Sequence, residues 1–167
     1  MLFRSGPIAA ALESQQAFYG LIVDGVHVDA AMLRLAMRGE GRPFLVTDAM
    51  PPVGGTRSTF HLYGKEVRVA DGRCTTGDGT LSGSALDMAS AVRNCVRLLD
   101  LTLDEAIKLA ATVPAEFIGL SDRLGRVAPG YRADLVALEP KDVKVLETWV
   151  AGERDSSISA ARHGRNR

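Results

Sequence analysis

Histidine is scarce in this chain: three among 167 residues, at positions 27, 61 and 163, with no His-x-His and no HExxH. No pair has ligand spacing, so the sequence cannot by itself build an ordinary three-ligand catalytic zinc site. Cysteine is equally sparse. Cys74 and Cys95 lie far apart with no CxxC, which excludes a zinc-ribbon pattern and suits a reducing, cytoplasmic setting. Neither sign of charge dominates, with 20 Lys plus Arg against 20 Asp plus Glu. No global field therefore gathers nucleic acid or a membrane surface, and neither is expected as a partner. No apolar run reaches the length of a bilayer span, and Met1-Leu2-Phe3-Arg4-Ser5-Gly6-Pro7 is too short and polar for a signal peptide. What remains is an ordinary globular composition, 46% hydrophobic and 24% charged, on a chain long enough for one real core.

The most informative stretch is Phe44-Leu45-Val46-Thr47-Asp48-Ala49-Met50-Pro51-Pro52-Val53-Gly54-Gly55. A short apolar run ended by turn residues reads as a buried strand of a parallel sheet. Catalytic groups of barrels and open α/β sheets sit where such strands end. Asp48 sits there. On this stretch alone it is either a catalytic carboxylate or a structural one that caps its own turn.

Around it, residues 8–19 are Ala-rich and predict a helix ending at Gly20, and residues 21–23 predict a strand. Asp29 suits the N-cap of a helix over 30–38, so residues 21–47 read as one βαβ unit with adjacent parallel strands. Residues 59–63 and 66–70 predict a hairpin turning at Gly64, and 76–80 a Gly-rich loop. Ser84-Ala85-Leu86-Asp87 resembles a capping box opening a helix whose apolar face holds Ala85, Met88, Ala89, Val92, Cys95, Val96 and Leu99. That spacing makes Met88 and Cys95 core residues. Thr102-Leu103-Asp104-Glu105 predicts a second capping box, on a helix that Val113-Pro114 interrupts. Strands follow over 134–138 and 143–150, and the Ser- and Arg-rich tail at 156–167 predicts disorder. Two parallel strands are too few for a parallel sheet, so the chain reads as part of a larger protein.

Three stretches together resemble N-acetylglucosamine-6-phosphate deacetylases, which belong to the amidohydrolase superfamily of metal-dependent (β/α)8 barrels. They are Asp24-Gly25-Val26-His27-Val28-Asp29, Leu45-Val46-Thr47-Asp48-Ala49, and Asp78-Gly79-Thr80-Leu81-Ser82-Gly83-Ser84. Ala111-Thr112-Val113-Pro114-Ala115 and the run from Leu124 to Leu135 also match, though many amidohydrolases share them. The resemblance spans residues 6–153. It implies an α/β fold: the last strands and helices of the barrel, plus strands of a small β-sandwich domain. The barrel portion would occupy 1–130 with a hairpin insertion near 56–80, and the sandwich strands 131–155.

The resemblance further implies that the whole enzyme hydrolyses the N-acetyl group of N-acetylglucosamine 6-phosphate. Asp48 matches the catalytic Asp after the eighth strand, which takes a proton from the attacking water and hands it to the leaving amine. His27 matches a substrate-contacting His after the seventh strand, with Asp24, Gly25 and Val26 lining the same loop. Leu81, Ser82 and Gly83 match a second substrate-contacting loop, and Arg4, with a one-residue gap, an Arg that reaches substrate phosphate across a dimer interface. A divalent metal, zinc or iron, is implied for the whole enzyme. Its Glu and His ligands lie ahead of the matched stretch, so none is expected on this chain alone. A homodimer is implied as well. Competing readings are a cyclic amidase or deaminase of the same superfamily, or a non-catalytic dimerisation or binding module. A half barrel would also leave strand edges and the apolar faces of Leu21, Val23, Leu45 and Val46 exposed, favouring association.

Overall fold

The structure, a computed structural model, describes residues 6–155. The expectations for Arg4 and for the tail at 156–167 lie outside the described residues. Helix α1 (Pro7–Glu13) leads into strand β1 (Phe18–Ile22), helix α2 (Ala30–Ala36) and strand β2 (Arg42–Val46). The two strands pair in parallel, from Phe18 opposite Arg42 to Ile22 opposite Val46, as the βαβ reading requires. Asp29 caps α2 by accepting from the Ala31 N–H at 2.8 Å. The Ala-rich helix is shorter than expected. It ends at Glu13, because Phe18 and Tyr19 belong to the parallel ladder, where aromatic residues pack better than in a helix.

Strands β3 (Thr59–Leu62), β4 (Lys65–Ala70), β5 (Arg73–Thr76) and β6 (Leu81–Ser84) form an antiparallel meander in chain order. The predicted hairpin is its first half. Helix α3 (Met88–Leu99) follows and is capped by Asp87, whose carboxylate accepts from the Ser90 N–H at 2.8 Å and the Ser90 hydroxyl at 2.7 Å. The expected capping box at Ser84 is therefore displaced, since that hydroxyl is committed elsewhere. Starting the helix at 88 also leaves Met88 at 36% exposure, while Ala91, Val92, Cys95 and Leu99 are buried. Met88 is not a core residue.

Helix α4 (Leu103–Ile107) opens on the expected capping box, with Thr102 and Glu105 exchanging bonds. Pro114 does not interrupt the chain as predicted. Residues Lys108–Thr112 take a π-helical turn in which the Val113 N–H bonds the Lys108 carbonyl five residues back. Pro114 then falls in the first turn of helix α5 (Val113–Phe117), where its missing N–H is harmless. Strands β7 (Leu135–Glu139), β8 (Lys144–Val150) and β9 (Glu153–Arg154) close the described chain as a separate antiparallel sheet. Residues 59–70 and 134–150 thus lie in two separate sheets, both apart from the parallel pair.

The main core joins Leu21, Val23 and Leu45 of the parallel unit to Leu33, Val92, Cys95, Leu99, Ala106 and Leu109. Leu21, Val23 and Leu45 are 8%, 0% and 2% exposed, and Val46 is half-buried, so the expectation that they face solvent is overturned; α3, the π-helical turn and α5 pack on β2. Burial pushes the Cys95 thiol up to about 11, leaving it an inert packing group. A second, smaller core holds Phe60, Val67 and Cys74 inside the meander.

Candidate functional site

The site lies at the carboxyl edge of the parallel pair. Ile22 opposes Val46, so Asp24 and Asp48 each stand two residues beyond the same register pair. The 24–29 loop and the 47–50 turn consequently leave the sheet side by side. Behind the first, Asn94 of α3 donates from Nδ2 to the Val23 carbonyl at 2.8 Å, fastening the strand end to the helix.

Asp48 is exposed and adopts φ +50°, a left-handed conformation uncommon for any residue but glycine. Ser84, 1% exposed, holds the turn on both sides. Its N–H donates to the Asp48 carbonyl at 2.8 Å and its carbonyl accepts from the Met50 N–H at 3.0 Å. Its hydroxyl donates to the Thr47 carbonyl at 2.5 Å and accepts from the Leu86 N–H at 3.0 Å. The bridge between Ala49 and Ser84 completes the contact. Residues kept in sparsely populated φ/ψ need surroundings that over-determine them, and three bonds to Ser84 provide that. Nothing in the sequence announced this role, because a Ser before a helix reads first as a cap. Gly83 is needed beside it: φ is +72°, and a Cβ there would come within 2.4 Å of Met50 Cγ.

The second loop is organised by Asp24. Its Oδ1 accepts from the Val26 and His27 N–H groups at 2.9 Å each, and its Oδ2 meets His27 Nδ1 at 2.7 Å. The Asp24 side chain is 6% exposed and that of His27 19%. Burial alone would raise the Asp24 carboxyl, but the bonds from the His27 ring and the two backbone N–H groups outweigh it and hold the carboxyl below its ordinary 3.8. A depressed pKa contributes stability that is complete above 3.8 and is lost as pH falls through the lower folded value. We expect acid titration of urea stability to show this loss in the wild type, with a shallower decline below 3.8 in Asp24→Asn. Parallel curves for the two proteins would contradict it.

The structure thus brings together the three stretches singled out in the sequence. Asp24, Gly25, Val26 and His27 share one loop, Asp48 occupies the neighbouring turn, and Leu81, Ser82 and Gly83 lie in β6 rather than in a loop. Cys74 of β5 lies close enough to feel Asp48: burial first, and the Asp48 charge second, raise its thiol. Among the described residues no three His, Cys, Asp or Glu side chains gather to hold a metal ion. By themselves these residues do not make up a metal site. A cavity of about 570 Å³ lies nearby, lined by residues 52–58 with Val69, Ala85 and Asp87, and it includes neither Asp48 nor His27. Among the described residues no helix is long and apolar enough to cross a membrane.

Residues 10–160 match the model of the amidohydrolase family. The chain is 42% identical over 153 residues to the N-acetylgalactosamine-6-phosphate deacetylase of Shewanella sp. (strain ANA-3), covering 89% of this chain and 38% of that protein. It is 38% identical over 149 residues to a putative N-acetylgalactosamine-6-phosphate deacetylase of Escherichia coli (strain K12), covering 89% of each. The crystal structure of N-acetylglucosamine-6-phosphate deacetylase from Pasteurella multocida superposes with a TM-score of 0.83 at 38% identity, over 87% of this chain and 38% of that one. The chain therefore spans well under half the length of the Shewanella and Pasteurella proteins.

Proposed function

The chain belongs to the amidohydrolase family, with a mixed α/β fold, and from that membership we propose that it is the part of an N-acetylhexosamine-6-phosphate deacetylase that carries the proton-transferring carboxylate. In this reading β1 and β2 are the last two strands of a (β/α)8 barrel occupying 1–130. The meander is an insertion into that barrel, and 131–155 supply strands of a small β-sandwich domain. The whole enzyme is a cytoplasmic, metal-dependent homodimer, using zinc or iron held by ligands outside the described residues. Two observations support the assembly. Among the described residues β1 and β2 pair only with each other, which leaves two strand edges to be met. Both cysteines are free and buried, as suits a reducing compartment.

The observation that carries the reading is Asp48, held at the sheet's carboxyl edge in a left-handed turn that Ser84 brackets. Amide hydrolysis needs a base as water attacks and an acid as the amine leaves. Asp48 takes a proton from the attacking water while the new C–O bond forms. It returns that proton to nitrogen as the C–N bond breaks, so acetate and a free amine depart. His27, with Gly25 and Val26, bounds the substrate on one side, and Leu81, Ser82 and Gly83 bound it on the other. Arg4 is assigned to the phosphate. The relatives named above divide between the gluco and galacto epimers, so the substrate is assigned as an N-acetylhexosamine 6-phosphate.

The test is a chimaera that joins this chain to the part of the Shewanella protein it does not match. Acetate release from N-acetylglucosamine 6-phosphate or its galacto epimer is the expected result. A folded, metal-loaded chimaera that releases acetate from neither would overturn the assignment.

A further inference from the structure

The Asp24–His27 contact fixes more than the position of a loop. Two heteroatoms 2.7 Å apart share one proton, and its owner decides what the other end of the ring can do. Asp24 Oδ1 already accepts two backbone N–H groups, which can only donate. Two such donors favour a carboxylate over a carboxylic acid, so the proton of the contact belongs to His27 Nδ1. The carboxylate is almost fully enclosed, at 6% exposure, and its three bonds all fall within its own loop, leaving little of it to meet a ligand directly.

We infer that Asp24 is a positioning residue that keeps a singly protonated His27 ring in its Nδ1–H tautomer, so that Nε2 accepts a hydrogen bond from a ligand hydroxyl. No partner for Nε2 occurs among the described residues, and 19% of the His27 side chain stays exposed. In this state the ring cannot donate to a carbonyl or phosphate oxygen; it would first have to take a second proton. Metal-free loops and metal sites use the same device, in which the partner of one ring nitrogen dictates the chemistry of the other. The tautomer stands on the loop geometry alone. The identity of the hydroxyl rests on the deacetylase reading, in which it is one of the sugar's own.

The experiment is ¹⁵N–¹H correlation NMR of the histidine rings in the chain as it is, well above the ordinary histidine pKa of about 6.5. His27→Gln identifies the relevant signals. The expected spectrum has the proton on Nδ1 of His27. Asp24→Asn, whose amide can donate to Nδ1, shifts the population towards Nε2–H. A wild-type ring with its proton on Nε2, or a tautomer unmoved by Asp24→Asn, overturns the inference. Should Asp24→Asn fail to fold, the wild-type spectrum alone decides. In the active chimaera the same substitution is expected to raise KM roughly tenfold, the size of one mismatched buried hydrogen bond, with kcat little changed. A switched tautomer with unaltered KM would remove the hydroxyl from the proposal. A chain with the expected tautomer whose chimaera never releases acetate would sink the deacetylase reading and leave the tautomer standing.

Discussion

Replacing Asp48 by Asn in the active chimaera is expected to lower kcat by about 10²- to 10⁴-fold, the range that positioned acid–base groups contribute, with little change in KM. The amide keeps the size of the side chain but can neither accept the proton from water nor return it to the amine. Asn also tolerates the left-handed region, so φ +50° should survive the change and the turn with it. The split between kcat and KM is the readout that matters, because loss of an interaction made only in the transition state leaves ground-state binding intact. Steady-state kinetics on both epimers would settle it. Full retention of kcat would mean that Asp48 merely caps its turn.

The largest stability effect is expected at Gly125. Its φ is +86°, and a Cβ built there would lie 2.8 Å from the Ala111 carbonyl oxygen, 2.8 Å from Ala115 Cβ and 3.1 Å from Thr112 Cα. Two of those neighbours are backbone atoms of the π-helical turn, which cannot swing aside as the Met50 side chain can beside Gly83. A disallowed backbone costs about 1–3 kcal/mol and overpacking a similar amount. Gly125→Ala should therefore destabilise the chain by about 3 kcal/mol or more. The Thr112 hydroxyl, which donates to the Gly125 carbonyl at 2.9 Å, would be disturbed as well. Urea unfolding of wild type and variant measures the difference, and a midpoint shift within error would show that the turn at 125 yields easily.

The βαβ unit was legible because each of its cues is local: two apolar runs, and Asp29 ahead of the helix between them. The capping box at Thr102 was legible for the same reason. Strand β6 was not. Leu81-Ser82-Gly83-Ser84 carries turn chemistry, and only pairing with β5 and with the 47–50 turn makes it extended. The start of β1 was hidden inside an Ala-rich run that propensity assigns to a helix. Asp48 stood out as a strand-end carboxylate, while its expected role and residues 24–29 came only through a resemblance; what joins them, the Ile22–Val46 register and the bracket at Ser84, is tertiary and leaves no trace in spacing.

The two cores differ greatly in size, and this bears on motion. The meander closes on three buried hydrophobic residues, while the cluster around the helices and the parallel pair holds twelve. Small, separately packed units open more often than the body they are attached to, as sub-global fluctuations of lower free energy. Ser84 ends the last strand of the meander and also brackets Asp48. A fluctuation that frees β6 would release the Asp48 turn from its bonds to Ser84, so the hydrophobic contacts around Phe60 and Val67, outside the turn itself, bear on how long that turn is held. In the deacetylase proposed above, substitutions on β3 or β4 would then tune turnover without touching the site.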